Sequence, residues 1–168
     1  MGVAVETTRT AGGQQPKALD RAARDAQPVL VESRPRLLVV DDEAAICRVL
    51  ERYLSRLGYE VHTTSSAGAA VILLRRLHFS VMISDVRLPD GSGLDLVRQA
   101  REIAPHLAVV VFSGQADGQT QRTAFENGAM EFLVKPVPLA EFGLAVERVE
   151  ARRLKEMAWE KAAARPTA

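Results

Sequence analysis

From Arg36 onward the chain alternates two kinds of apolar pattern. Leu37-Leu38-Val39-Val40, Phe79 to Ser84, Leu107 to Phe112 and Met130 to Val134 are short apolar runs of strand length. Such runs mark strands buried on both faces. Tyr59 to Thr63 alternates more like a half-buried strand. Between these runs the apolar positions recur at helical spacing. Ile46, Val49, Leu50, Tyr53, Leu54 and Leu57 form one stripe, stopped by Gly58. Ser65 or Ser66 can cap a second helix reaching about Leu77. Ser92 can cap a third, with Leu94, Val97, Ala100 and Ile103 facing inward. Asp117 caps a fourth, which ends near Asn127-Gly128. Pro138 opens a fifth, since proline suits the first turn of a helix. Five strands alternating with five helices predict an α/β fold. Right-handed crossovers make it a doubly wound, five-stranded parallel sheet in a three-layer sandwich.

The ends of the chain read differently. Residues 1–35 carry Gly12-Gly13, Gln14-Gln15, three prolines and mixed charge, with no aromatic residue. That composition predicts a flexible tail, with a short helix possible around Lys17 to Ala26. The domain is expected over 36–149. Beyond it, 150–168 is expected to be a helical extension and tail. The stripe Leu139, Phe142, Val146 and Val149 is interrupted there at Arg152-Arg153, which reads as a solvated face.

Composition narrows the function only modestly. A net charge of +1 gives no general argument for nucleic acid. The one cysteine, Cys47, excludes an intramolecular disulfide framework and reads as a small buried hydrophobe. No apolar stretch approaches the length of a membrane span, and no secretory h-region opens the sequence. A cytoplasmic protein is expected. His62, His78 and His106 lack metal-ligand spacing.

The chemistry lies at the strand ends. Asp41 and Asp42 follow the first run, Asp85 closes the third strand before Pro89-Asp90-Gly91, Ser113 ends the fourth, and Lys135-Pro136 follows the fifth. Ligands of open parallel sheets bind at the carboxyl ends of the strands. Three carboxylates there repel one another unless a cation offsets them, and Mg²⁺ prefers oxygen ligands. Asp85 suits a phosphoryl-accepting nucleophile. Lys135 and Ser113 suit phosphoryl oxygens, and Gly114 leaves room for a donor.

With these motifs in their order and separations, Arg36 to about Val149 resembles the receiver domain of two-component response regulators, a CheY-like fold. The resemblance implies phosphorylation of Asp85 by a sensor histidine kinase or a histidine phosphotransfer protein. It implies Mg²⁺ (or Mn²⁺) held by Asp42, Asp85 and the backbone carbonyl of Arg87, with Asp41 assisting through water. It implies that Ser113 and Lys135 read the phosphoryl group, that Phe132 is the switch aromatic, and that Lys135-Pro136 is cis. The face of helix 4, strand 5 and helix 5 would then change its preference for a downstream protein target or a second copy. The long last helix is another candidate for dimerisation. Serine replaces the commoner threonine at Ser113, and Phe132 lacks a phenol hydroxyl. Arg87 and Gln115 occupy positions that tune acyl-phosphate lifetime in that family.

The sequence also carries plainer readings. Asp41 and Asp42 can be a helix cap and first-turn acid, and Asp85 can merely start a turn. Lys135 can be a surface lysine. An aspartate-nucleophile phosphatase would place an acid two residues after the nucleophile, where this chain has Arg87. A non-phosphorylated interaction module would bind no Mg²⁺. The expected function is a phosphoacceptor signalling protein rather than an enzyme, with a single domain and no DNA-binding output. The alternative is a receiver fragment of a larger regulator or hybrid kinase.

Overall fold

A computed structural model describes residues 34–114 and 117–164. The expected tail over 1–35, its possible short helix, Gln115 and the last four residues lie outside the described residues, Arg34 and Pro35 excepted. The order is β1 (Arg36–Val40), α1 (Ala44–Arg56), β2 (Glu60–Thr64), α2 (Ala67–Arg76), β3 (Val81–Asp85), α3 (Gly93–Ile103), β4 (Ala108–Ser113), α4 (Gly118–Glu126), β5 (Glu131–Val134) and α5 (Leu139–Ala163). The strands form one parallel sheet in the order β2-β1-β3-β4-β5. A two-residue antiparallel ladder, Arg87-Leu88 with Gly91-Ser92, tightens the turn after β3. The apolar pattern did not announce it.

The period of two sorts the sheet into two cores. Leu37, Val39, Val81, Ile83, Val110 and Phe112 face α1 and α5, where Leu50, Leu54, Phe142 and Val146 complete the packing. Leu38, Val40, Met82, Val109 and Val111 face α2, α3 and α4, against Leu74, Leu96, Val97 and Ala124. Every residue of β3 and β4 is buried, as expected for interior parallel strands.

Helix ends follow local chemistry. Ser66 Oγ accepts from Ala69 N, Ser92 Oγ from Leu94 N, and an Asp117 oxygen from Thr120 N. Gly58 and Gly128 take φ of +100° and +102° behind α1 and α4, the left-handed turn glycine accommodates. Three details differ from the sequence reading. Glu43 is the N-cap of α1, so neither Asp41 nor Asp42 fills that role. Pro138 sits at the N-cap of α5, one residue before the first turn. In the α1 stripe Val49 and Leu57 are exposed, because the buried face is narrower than the periodic one. Helix α5 runs unbroken through Val149, the last core residue it contributes, to Ala163.

Candidate functional site

The sheet brings the predicted residues together by its register. Strands β1 and β3 are neighbours, and β1 is flanked by β2 on its other side. Connections leave β1 and β3 in opposite directions across the sheet, so a crevice opens between their carboxyl ends. Asp41 and Asp42 sit there from β1 and Asp85 from β3. The three carboxylates offer oxygens all within 4.8 Å of one another. Asp41 is fully buried, Asp85 nearly so, and Asp42 is exposed. Ser113 is buried at the end of β4, next to β3.

Lys135 reaches in from the end of β5. Its Nζ donates to Asp85 Oδ2 at 3.1 Å and Asp41 Oδ2 at 3.2 Å, with Glu43 Oε1 at 3.8 Å. The ammonium also lies 4.4 Å from the centre of the Phe112 ring, whose face is attractive to a cation. The peptide from Lys135 to Pro136 is cis. The remaining oxygens of the two buried carboxylates are held by main-chain donors. Glu43 N donates to Asp41 Oδ1 and Val86 N to Asp85 Oδ1, each at 2.7 Å.

Burial pushes the Asp41 carboxyl above its ordinary range, against the lowering pull of the Glu43 amide and of Lys135. Burial pulls Lys135 down, but the hydrogen bond to Asp85 and the charges of Asp41 and Asp85 outweigh it, and its pKa is raised. One ammonium therefore faces several carboxylates. Hard oxygen donors with an excess of negative charge are what a divalent cation such as Mg²⁺ takes, so the residues present fit that ion. The cleft has a volume of about 350 Å³ and is lined by Asp42, Asp85, Arg87, Gly114 and Lys135 among others. Phe132, on β5, is half-buried against the core on the α2–α4 side.

Two contributors escaped the sequence. Asp90, in the turn after Asp85, accepts from Ala67 N and Gly68 N with its two oxygens, each at 2.8 Å. It thus pins the loop that lines the cleft onto the start of α2. The partners lie more than twenty residues upstream, so no local pattern signals the contact. Gly93 allows α3 to begin against the end of β3: a Cβ there would sit 1.8 Å from the carbonyl oxygen of Asp85. Glycine at this position has a packing reason that only the folded chain reveals. Cys47 is buried as expected, and its thiol donates to the Asp41 carbonyl at 3.3 Å.

Comparison with known proteins agrees with this geometry. The response regulator receiver domain family matches residues 37–147. The chain is 40% identical over 116 residues to the DNA-binding transcriptional regulator NtrC of Azospirillum brasilense, covering 69% of this chain and 24% of that protein. The chain thus spans about a quarter of the length of the curated relatives it matches. Among solved structures, a CheY-like receiver domain protein from Methanospirillum hungatei superposes with a TM-score of 0.72 at 27% identity, over 74% of this chain and 99% of that one. The solution structure of the beryllofluoride-activated NtrC4 receiver domain dimer gives a TM-score of 0.67 at 33% identity, over 70% of this chain and 98% of that one. Sheet order, acidic crevice and family match agree: the chain belongs to the receiver domain family of two-component response regulators, for which aspartyl phosphorylation and Mg²⁺ are general properties.

Proposed function

We propose that Asp85 accepts a phosphoryl group from a phosphohistidine of a sensor kinase or phosphotransfer protein, and that the acyl phosphate changes a protein-binding surface. The observation that carries this reading is the placement of Asp85: one carboxylate oxygen is fixed by Val86 N and the other is paired with Lys135, at the mouth of an acidic cleft.

In the transfer, a carboxylate oxygen of Asp85 bonds to phosphorus while the P–N bond of the donor breaks and its electrons return to the imidazole. Such transfers depend on positioning and charge neutralisation more than on covalent help. Asp42, Asp85 and the carbonyl of Arg87 would hold Mg²⁺ or Mn²⁺, with Asp41 assisting through water. That ion, when bound, would supply charge neutralisation at the phosphoryl oxygens. Lys135 already touches the acceptor, so a short movement turns its ammonium to an oxygen of the new phosphoryl group. Ser113 supplies a hydroxyl to another. Phe132, half-buried on the next strand, is the side chain whose packing would respond. The affected surface is the face of α4, β5 and α5, open to a target protein or a second copy.

A second reading, a receiver module within a longer regulator, is favoured by relatives of which the chain covers about a quarter. Both readings share the same chemistry at Asp85. Intact-mass spectrometry after incubation with acetyl phosphate tests it. A Mg²⁺-dependent gain of one phosphoryl group, lost in Asp85→Asn, is expected; an equal gain in that variant would move the acceptor elsewhere.

A further inference from the structure

At the amino-terminal end of the sheet, away from the acidic cleft, lies a groove of about 550 Å³. Its walls are the α2–β3 loop, the α3–β4 loop and the part of α5 that continues past Val149. The volume is in the range of small-molecule sites. Its charged lining is one-sided: Arg75 and Arg153 line it with His78 and His106, and no carboxylate does. Beside the groove, Glu160 lies 3.6 Å from His106 Nδ1 and Glu150 pairs with Arg153.

Arg153 is the unusual member. The sequence reads Arg152-Arg153 as a solvated pair, and Arg152 is indeed 62% exposed, but Arg153 is only 14% exposed. Its guanidinium is poorly matched. Nη1 donates to the Met157 thioether at 3.1 Å, a weak acceptor. Nη2 is 3.6 Å from Glu150, whose other oxygen accepts from the Tyr59 hydroxyl. Nε is buried and, among the described residues, has no partner. Covering a charged donor without a good acceptor is costly, so a turn of this side chain toward an acceptor in the groove relieves a penalty already present. The remaining wall is apolar, with Leu74, Leu77, Phe79 and Ile103.

We propose that this groove binds a small organic carboxylate with an apolar body. Arg153 takes the carboxylate through its planar fork of donors, Arg75 adds positive potential, and the apolar wall holds the body. The site is built by the extension of α5, which contributes both Arg153 and Met157.

The test is an NMR titration of the full chain, following amide resonances, with phenylacetate, its uncharged analogue phenylacetamide, and inorganic phosphate. Phenylacetate is expected to produce saturable shifts confined to residues 77–80, 103–107 and 153–157. Phenylacetamide should bind about tenfold more weakly, the loss expected for one charged hydrogen bond. Arg153→Met should weaken phenylacetate to the same degree with an unchanged melting temperature. If Arg153→Met melts early, Arg153→Lys, which keeps the charge and loses the fork, takes its place and should also bind more weakly. The proposal is overturned by no saturable shift at millimolar phenylacetate, by equal binding of the amide, by phosphate shifting the same resonances as strongly, or by unimpaired binding in a folded variant.

Discussion

The two ends of the sheet are built from the same strands and do opposite things. At the amino-terminal end, main-chain groups close the edges on one another: Ser80 N donates to Arg36 O, Ala108 N to Ser80 O, and Met130 N to Val109 O. At the carboxyl end the strands run out into side chains. There Asp41, Asp85 and Ser113 are buried polar groups, and Lys135 spans two of the carboxylates. One end is acidic and suited to a cation and a phosphoryl group, and the other presents Arg75 and Arg153 beside an apolar wall. The fold supplies a position; the residues beyond each strand supply the charge.

This contrast makes a sharp expectation: changes at the carboxyl end should remove function and leave stability, and changes in the core should do the reverse. Asp85→Asn is expected to abolish phosphorylation while thermal melting stays within error of the parent. Loss of the fold in that variant would break the separation. Leu54→Ala removes a fully buried side chain from the α1 core. It should cost about 3 kcal/mol in urea unfolding, as large-to-small core changes do, and folded molecules should still be phosphorylated to the same extent. Gly93→Ala is the case where the two properties meet, since the added methyl collides with the Asp85 carbonyl. A loss of about 2 kcal/mol, typical of overpacking, should come with slower phosphorylation, read by a time course of intact mass. Lys135→Ala should keep Mg²⁺ binding, measured by calorimetry, but lose the surface change on phosphorylation; normal switching would remove Lys135 from its role.

The smallest effect is expected at Asp90. Its hydrogen bonds from Gly68 and Ala67 hold its carboxyl below the usual carboxylate range. A depressed folded pKa stabilises above the unfolded value and is lost as pH falls through the folded one. Asp90→Asn should therefore lower the melting temperature slightly at neutral pH, and the gap to the parent should close below about pH 4, the ordinary aspartate range. A gap independent of pH would mean the charge of Asp90 is not what pins α2.

Most of the architecture was legible because interior parallel strands leave short, unmistakable apolar runs. The cleft was legible for a related reason: Asp41, Asp85 and Ser113 each interrupt such a run at its end. Long-range contacts were not. Asp90 looks like any turn aspartate until its oxygens are seen on α2, and the burial of Arg153 depends on loops that α5 meets only in the folded chain. Val49 shows the opposite failure, a periodic residue that the fold leaves exposed.

The buried polar strand ends carry a further consequence. Up to Ile83 and Phe112, strands β3 and β4 are apolar on both faces, so hydrophobic burial alone would tolerate a slip of one residue there, merely exchanging the two cores. Asp85 and Ser113 forbid it. A shift toward the amino-terminal end would draw Asp85 or Ser113 into the packed interior, and the opposite shift would carry Phe112 out to the cleft. The polar residues at the cleft thus also act as stop marks at the ends of apolar strands, and the chain's reading frame in space is set by its chemistry.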